Sequence, residues 1–260
     1  AVMRFVGDPK PSRTAASTDE AQTQFITQWS MQKYGVSEAV AGDIAQLYNE
    51  YFQVPYIQSG NSDNHLSTTI MDLADAYSQS LQKTRKVSSE VLVRAHTAIP
   101  TSLADVRTLH NNTMMLLSRV SSLMTADRLN FFVAHLVGQT GMQRYGCEVQ
   151  NSLALSIISM AGGDVTNAIL NINEALQYFD AFFSAQRGAE TSHWRGLFMH
   201  SHLADFHRAR SLVRQAFVAL KQISAQAIRL PPVFPRMYYT FMDYQLVNEN
   251  DYPLFYASSD

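Results

Sequence analysis

Three histidines, His193, His200 and His207, recur every seventh residue through Glu190–Arg210 (ETSHWRGLFMHSHLADFHRAR), a segment that also holds Trp194. Imidazoles in a row could bind a metal, but a helical chelate needs ligands at i and i+4, and no two histidines in the chain have that spacing. Members of a seven-residue row lie about 10 Å apart along a helix, at ~1.5 Å per residue, too far to share one ion. The row therefore reads as a surface or core-edge stripe, and no metal ligand is assigned. Nucleophilic chemistry is no better supported. There is no Gly-x-Ser-x-Gly elbow, and the single cysteine, Cys147, lies in YGCEV without a histidine partner nearby. Cys147 reads as a small, partly buried residue. Gly162-Gly163-Asp164 is a helix stop followed by a cap rather than a phosphate cradle. Paired carboxylates could cleave a glycosidic bond, yet Asp19, Glu20 and Glu38 sit in first helical turns and Asp164 at an N-cap. No catalytic residue and no cofactor is assigned.

Aromatic side chains are the remaining resource, because their faces stack on sugar rings while a polar tip stays wet. Trp29, Tyr34, Tyr48, Tyr51, Tyr56 and Trp194 are the candidates, with Trp29 and Trp194 expected mainly in the core. Tyr56, in a polar loop, together with Trp194 and His193 forms the set proposed to touch carbohydrate or a partner chain. Asn111-Asn112-Thr113 fits the glycosylation pattern but falls within an expected helix.

Composition narrows the classes. With 260 residues, of which 46% are hydrophobic, the chain can bury a sizeable core. Twenty basic against 22 acidic residues leave a formal charge of −2 and no basic run, so a nucleic-acid partner is not expected. The longest apolar run, Ser152–Gly163, is about half of the ~20 residues that a membrane span needs. The chain opens on Ala1 with no charged-then-apolar leader, consistent with a trimmed chain or part of a longer one.

The elements that must position these residues are helical. An extended lead-in is expected over 1–16 and a helical bundle over 17–230. Ser17 and Glu20 have capping-box spacing, Tyr34-Gly35 stops the first helix, and Ser37 caps a second that ends before Pro55. A long helical pattern covers His65–Ile99 with an interruption near Ser88-Ser89, and Pro100 ends it. The next helix starts at Thr101 or Ser102 and a further one near Thr125, whose middle Gly138 and Gly141 weaken. Another runs through Leu153 and Ile157 to Gly162-Gly163, and Asp164 caps Val165–Gln186. The Trp194 segment is expected to be the central, buried helix. Beyond Leu230-Pro231-Pro232 the composition turns aromatic, so 231–260 reads as a non-helical tail, suited to starting a β-rich domain. The fold class is all-α, a bundle of about six to eight helices with short loops of ~2–8 residues.

Phe25–Tyr51 (FITQWSMQKYGVSEAVAGDIAQLYNEY) resembles the opening helical hairpin of the helical domain in glycoside hydrolase family 115, the xylan α-glucuronidases. There a tryptophan precedes a Phe-Gly or Tyr-Gly turn and an alanine-rich helix with a tyrosine. GGDVTNAILNINEAL and SHWRGLF resemble that domain's later helix pair. The resemblance implies an accessory and assembly domain of a secreted, often oligomeric protein acting on glucuronic-acid-decorated polysaccharide. The chain departs from the family at Val54–Gln58, where a Lys-Pro-Glu segment is usual, and at Ser192-His193, where the family has Gly-Lys. The family's catalytic carboxylates belong to a preceding barrel that has no counterpart here, so none carries over. The alternative is a non-enzymatic structural or protein-interaction module whose helix faces and tail bind a partner chain.

Overall fold

The computed structural model describes residues 15–53, 66–190 and 202–227, and among these the chain is all-helical. Residues 1–14 of the expected lead-in, the polar loop with Tyr56, the segment with His193 and Trp194, and the aromatic tail lie outside the described residues, while Ala15 and Ala16 are already helical, so the first helix starts ahead of the expected Ser17 cap. The helices are α1 (Ala15–Tyr34), α2 (Glu38–Gln53), α3 (Leu66–Thr84), α4 (Ser89–Ala98) and α5 (Leu103–Val120). A continuous helix, α6, follows as Ala126–Phe132, a π turn Val133–Val137, and Gly138–Ala161; then come α7 (Val165–Ala189) and α8 (His202–Ala227).

The α1–α2 hairpin closes as its sequence demands. Gly35 adopts φ +66° in the left-handed region, where a Cβ is penalised, and its amide bonds the Met31 carbonyl at 2.9 Å. Trp29 then meets Tyr34 and Tyr48 edge-on at ring separations of 5.6 and 5.8 Å. The Tyr34 and Tyr48 hydroxyls pair at 2.9 Å, which satisfies two polar tips inside an apolar cluster. Burial pushes both phenols up, that of Tyr48 to about 12. Gly35→Ala is expected to destabilise the fold by ~1–2 kcal/mol, the penalty for a Cβ in the left-handed region. The Arg128 guanidinium occupies the place such a Cβ would take, but its flexible tip can swing aside. Urea unfolding checks this, and an unchanged midpoint would refute it.

The pattern from His65 to Ile99 divides into two helices at the interruption expected near Ser88-Ser89. Arg85 takes φ +58° and ends α3, while the Ser88 hydroxyl accepts from the Val91 amide at 3.3 Å and starts α4. Ser80 braces the turn, donating to the Lys86 carbonyl at 2.7 Å and accepting from the Ser88 amide at 3.2 Å. Asp164 caps α7 as expected, its carboxylate accepting from the Asn167 amide at 3.0 Å, and that bond holds its carboxyl below the usual range.

The largest departure from the sequence reading is α6. Two helices were expected, the first weakened in its middle by Gly138 and Gly141; instead one helix runs from Ala126 to Ala161, with a π turn at Val133–Val137. Its glycines permit close approach rather than breaking it. A Cβ on Gly138 would come within 2.7 Å of Ala189 Cβ, and one on Gly141 within 2.9 Å of Ala185 Cβ. Packed this tightly against α7, α6 becomes the axis on which α3, α4 and α5 also pack, while α8 pairs with α3 and α7. Among the described residues the central element is therefore α6; the Trp194 segment lies outside them.

The core has two contiguous parts. One joins α3, α4, α6, α7 and α8 around Tyr77, Leu153, Ile157, Ile172 and Phe179; the other joins α1, α2, α5 and the first half of α6 around Tyr34, Ile44, Leu109, Phe132 and Leu136. The helix-period stripes of the sequence supply both.

Candidate functional site

Tyr56, His193 and Trp194 all lie outside the described residues. The flanks of their two segments are described, and they converge on α6. Leu66, which opens α3, has its side chain against Gly146, and Ala189, which closes α7, lies against Gly138. Early in α8, Phe206 stacks on Phe182 at 4.1 Å, and Phe182 also borders Gly146. His207, the last of the seven-residue row, stacks nearly parallel on Phe183 at 4.2 Å, the core-edge placement expected for it.

A hollow of about 470 Å³ opens beside this region, between the first turns of α3, the end of α4 and α6. Its floor is apolar, from Leu73 and Ala98, both buried. Its walls carry Thr69 and Asp72 from α3, Arg94 and Thr97 from α4, and Gln150 from α6. Helical geometry explains the grouping. Thr69, Asp72 and Leu73 follow one another at i, i+3 and i+4, as do Arg94, Thr97 and Ala98, so each trio covers one side of its helix. The Gln150 amide donates to the Ala98 carbonyl, which would otherwise be an orphan acceptor at the end of α4. Arg94 bonds Glu90 at 2.5 Å along its own helix. The volume falls in the ~300–1,000 Å³ range of small-molecule sites, and hydroxyls and charges of both signs over an apolar floor can hold a hydroxylated molecule by hydrogen bonds.

A buried polar group lies further round α6. The Glu148 carboxylate, 2% exposed, accepts two hydrogen bonds at 2.6 Å from Nε and Nη2 of Arg107 on α5, a bidentate pairing. Arg144, one turn earlier on α6, lies 4.0 Å from the same carboxylate and donates to Asn111 at 3.0 Å. This arrangement fastens α5 to α6. The surrounding run CEVQNSLAL mixes apolar residues with Gln150, Asn151 and Ser152, so spacing alone does not mark Glu148 as a buried carboxylate, which is rare unless paired.

Cys147 is fully buried rather than partly so, and burial, with the neighbouring Glu148 charge, pushes its thiol up to about 12. A thiol so placed stays protonated and unreactive. The Asn111-Asn112-Thr113 pattern lies inside α5, where Thr113 is buried and donates to the Leu109 carbonyl at 2.8 Å. Among the described residues, no three His, Cys, Asp or Glu side chains are grouped as a metal ion would require, and no helix is long and apolar enough to cross a membrane. No protein family, curated protein or solved structure matches the chain.

Proposed function

We propose that this chain is a helical accessory and assembly domain of a protein resembling glycoside hydrolase family 115, acting with a catalytic barrel on glucuronic-acid-decorated polysaccharide outside the cell. One observation supports the reading: the residues that carry the resemblance in Phe25–Tyr51 also hold that hairpin together. Trp29, Tyr34 and Tyr48 form one aromatic cluster, and Gly35 makes the turn. A motif whose members touch in space is better support than one scattered over a helix surface. Assembly with a longer polypeptide or a second copy, and contact with polysaccharide, belong to the same proposal.

The first test is the intact mass of the native polypeptide under denaturing conditions. A mass well above 29.2 kDa is expected, with acidic residues in an upstream barrel. A native mass equal to that of this chain would sink the proposal. The isolated chain is further expected to release no glucuronic acid from decorated xylan. Measurable release would move the chemistry into these residues.

A further inference from the structure

We infer that the hollow between α3, α4 and α6 binds a small hydroxylated amine, an amino sugar or amino alcohol carrying its ammonium proton. The hydrogen-bonding inventory of its walls points to such a ligand. Among the described residues no hydrogen bond or ion pair engages the Asp72 carboxylate, so both of its oxygens are open to accept. Thr97 has one hydroxyl proton, and it is committed to its own helix, 2.9 Å from the Arg94 carbonyl and 3.3 Å from that of Val93. Toward the hollow Thr97 therefore only accepts. Gln150 directs its amide nitrogen to the Ala98 carbonyl, which leaves its amide oxygen as a further acceptor.

The lining donors are the Thr69 hydroxyl and the Arg94 guanidinium. Arg94 is paired with Glu90 at 2.5 Å, so its charge is already answered and Asp72 leaves the lining net negative. A ligand rich in donors and carrying a positive charge fits this set. Its ammonium makes charge-assisted hydrogen bonds to Asp72, and its hydroxyls meet Thr69, Thr97 and the Gln150 oxygen. Buried Leu73 and Ala98 give its C–H surface an apolar floor. A hard metal ion fits poorly, because it takes ~6–8 oxygens including several carboxylates, and Asp72 is the one carboxylate in the lining. An acidic sugar fits no better, since its carboxylate would face that of Asp72. The inference is therefore separate from the polysaccharide contact proposed above, and either can fail without the other.

The test is an NMR titration of the full chain at about pH 6.5, where an aliphatic amine holds its proton. Glucosamine is the probe, with N-acetylglucosamine and glucuronate as its uncharged and anionic counterparts. Saturable shifts of the Thr69, Asp72, Thr97 and Gln150 amides are expected with glucosamine, at a Kd in the millimolar range. The two counterparts should bind at least ~10-fold more weakly, the value of a charge-assisted hydrogen bond. Asp72 is exposed, so Asp72→Asn should keep the fold and weaken glucosamine about tenfold. Asp75→Asn, on the same helix but outside the lining, should change the affinity less than about twofold at physiological salt. Equal binding of N-acetylglucosamine, tighter binding of glucuronate, or an affinity unmoved by Asp72→Asn would each overturn the inference. So would an equal loss in Asp75→Asn, shifts confined to other helices, or no saturable shift up to ~100 mM glucosamine.

Discussion

Phe179→Ala is expected to lower stability by ~3–5 kcal/mol, a large part of the ~5–15 kcal/mol that holds a typical domain together. Phe179 has no exposed surface, and its ring lies within 6.4 Å of those of Phe183 and Phe206, where α7 meets α8. Truncation loses the transfer free energy of a ring and leaves a cavity between α7 and α8 that their packed side chains only partly close. Phe179→Leu keeps part of that volume and should recover a good share of the loss. Urea unfolding measures both. A fall in midpoint at unchanged slope is the expected result, and a loss below ~1 kcal/mol for the alanine variant would mean that the site collapses or is not central.

Gly138→Val should cost a comparable amount, for the opposite reason. The added atoms meet not a flexible tip but the Ala189 backbone, whose Cα and N would each lie 3.0 Å from the new Cβ. α6 and α7 would have to separate along their tightest contact, and overpacking of this kind costs ~1–3 kcal/mol or more. Valine adds a branched side chain that fits helices poorly, so an effect of ~3 kcal/mol is expected. Gly138→Ala should cost less, because alanine recovers up to ~1 kcal/mol of helix propensity over glycine. Gly188 provides the contrast. It sits in the same helix as Ala189, and a Cβ there would meet nothing within 4 Å. Gly188→Ala should therefore stabilise by up to ~1 kcal/mol. Thermal unfolding of the three variants decides the matter, and a Gly138→Val protein as stable as the wild type would remove close packing as the reason for the glycine.

The proposed carbohydrate-associated role is separable from these stability effects. It depends on the hairpin cluster and on what accompanies the chain in its native polypeptide, whereas Phe179 and Gly138 lie in the α6–α8 part of the fold. Variants at either position should weaken folding without creating or removing hydrolysis.

By itself, the sequence determined the helical class, the α1–α2 hairpin and the cap of α7. These features are local: apolar spacing defines a helix face, Gly35 alone tolerates the turn that follows Tyr34, and Asp164 reaches an amide three residues away. Tertiary structure decided what depended on a neighbour. Taken locally, Gly138 and Gly141 weaken a helix; against Ala189 and Ala185 they let it run on, because small residues on both sides bring the two backbones together. The break near Ser88-Ser89 is legible in the sequence, but the left-handed Arg85 and the brace from Ser80 that make the turn depend on groups several residues away. The hollow and the Glu148 pair belong to the same category. Their members come from three helices and two helices respectively, and only the angles at which those helices pack on α6 bring Asp72 opposite Arg94 and Arg107 onto Glu148.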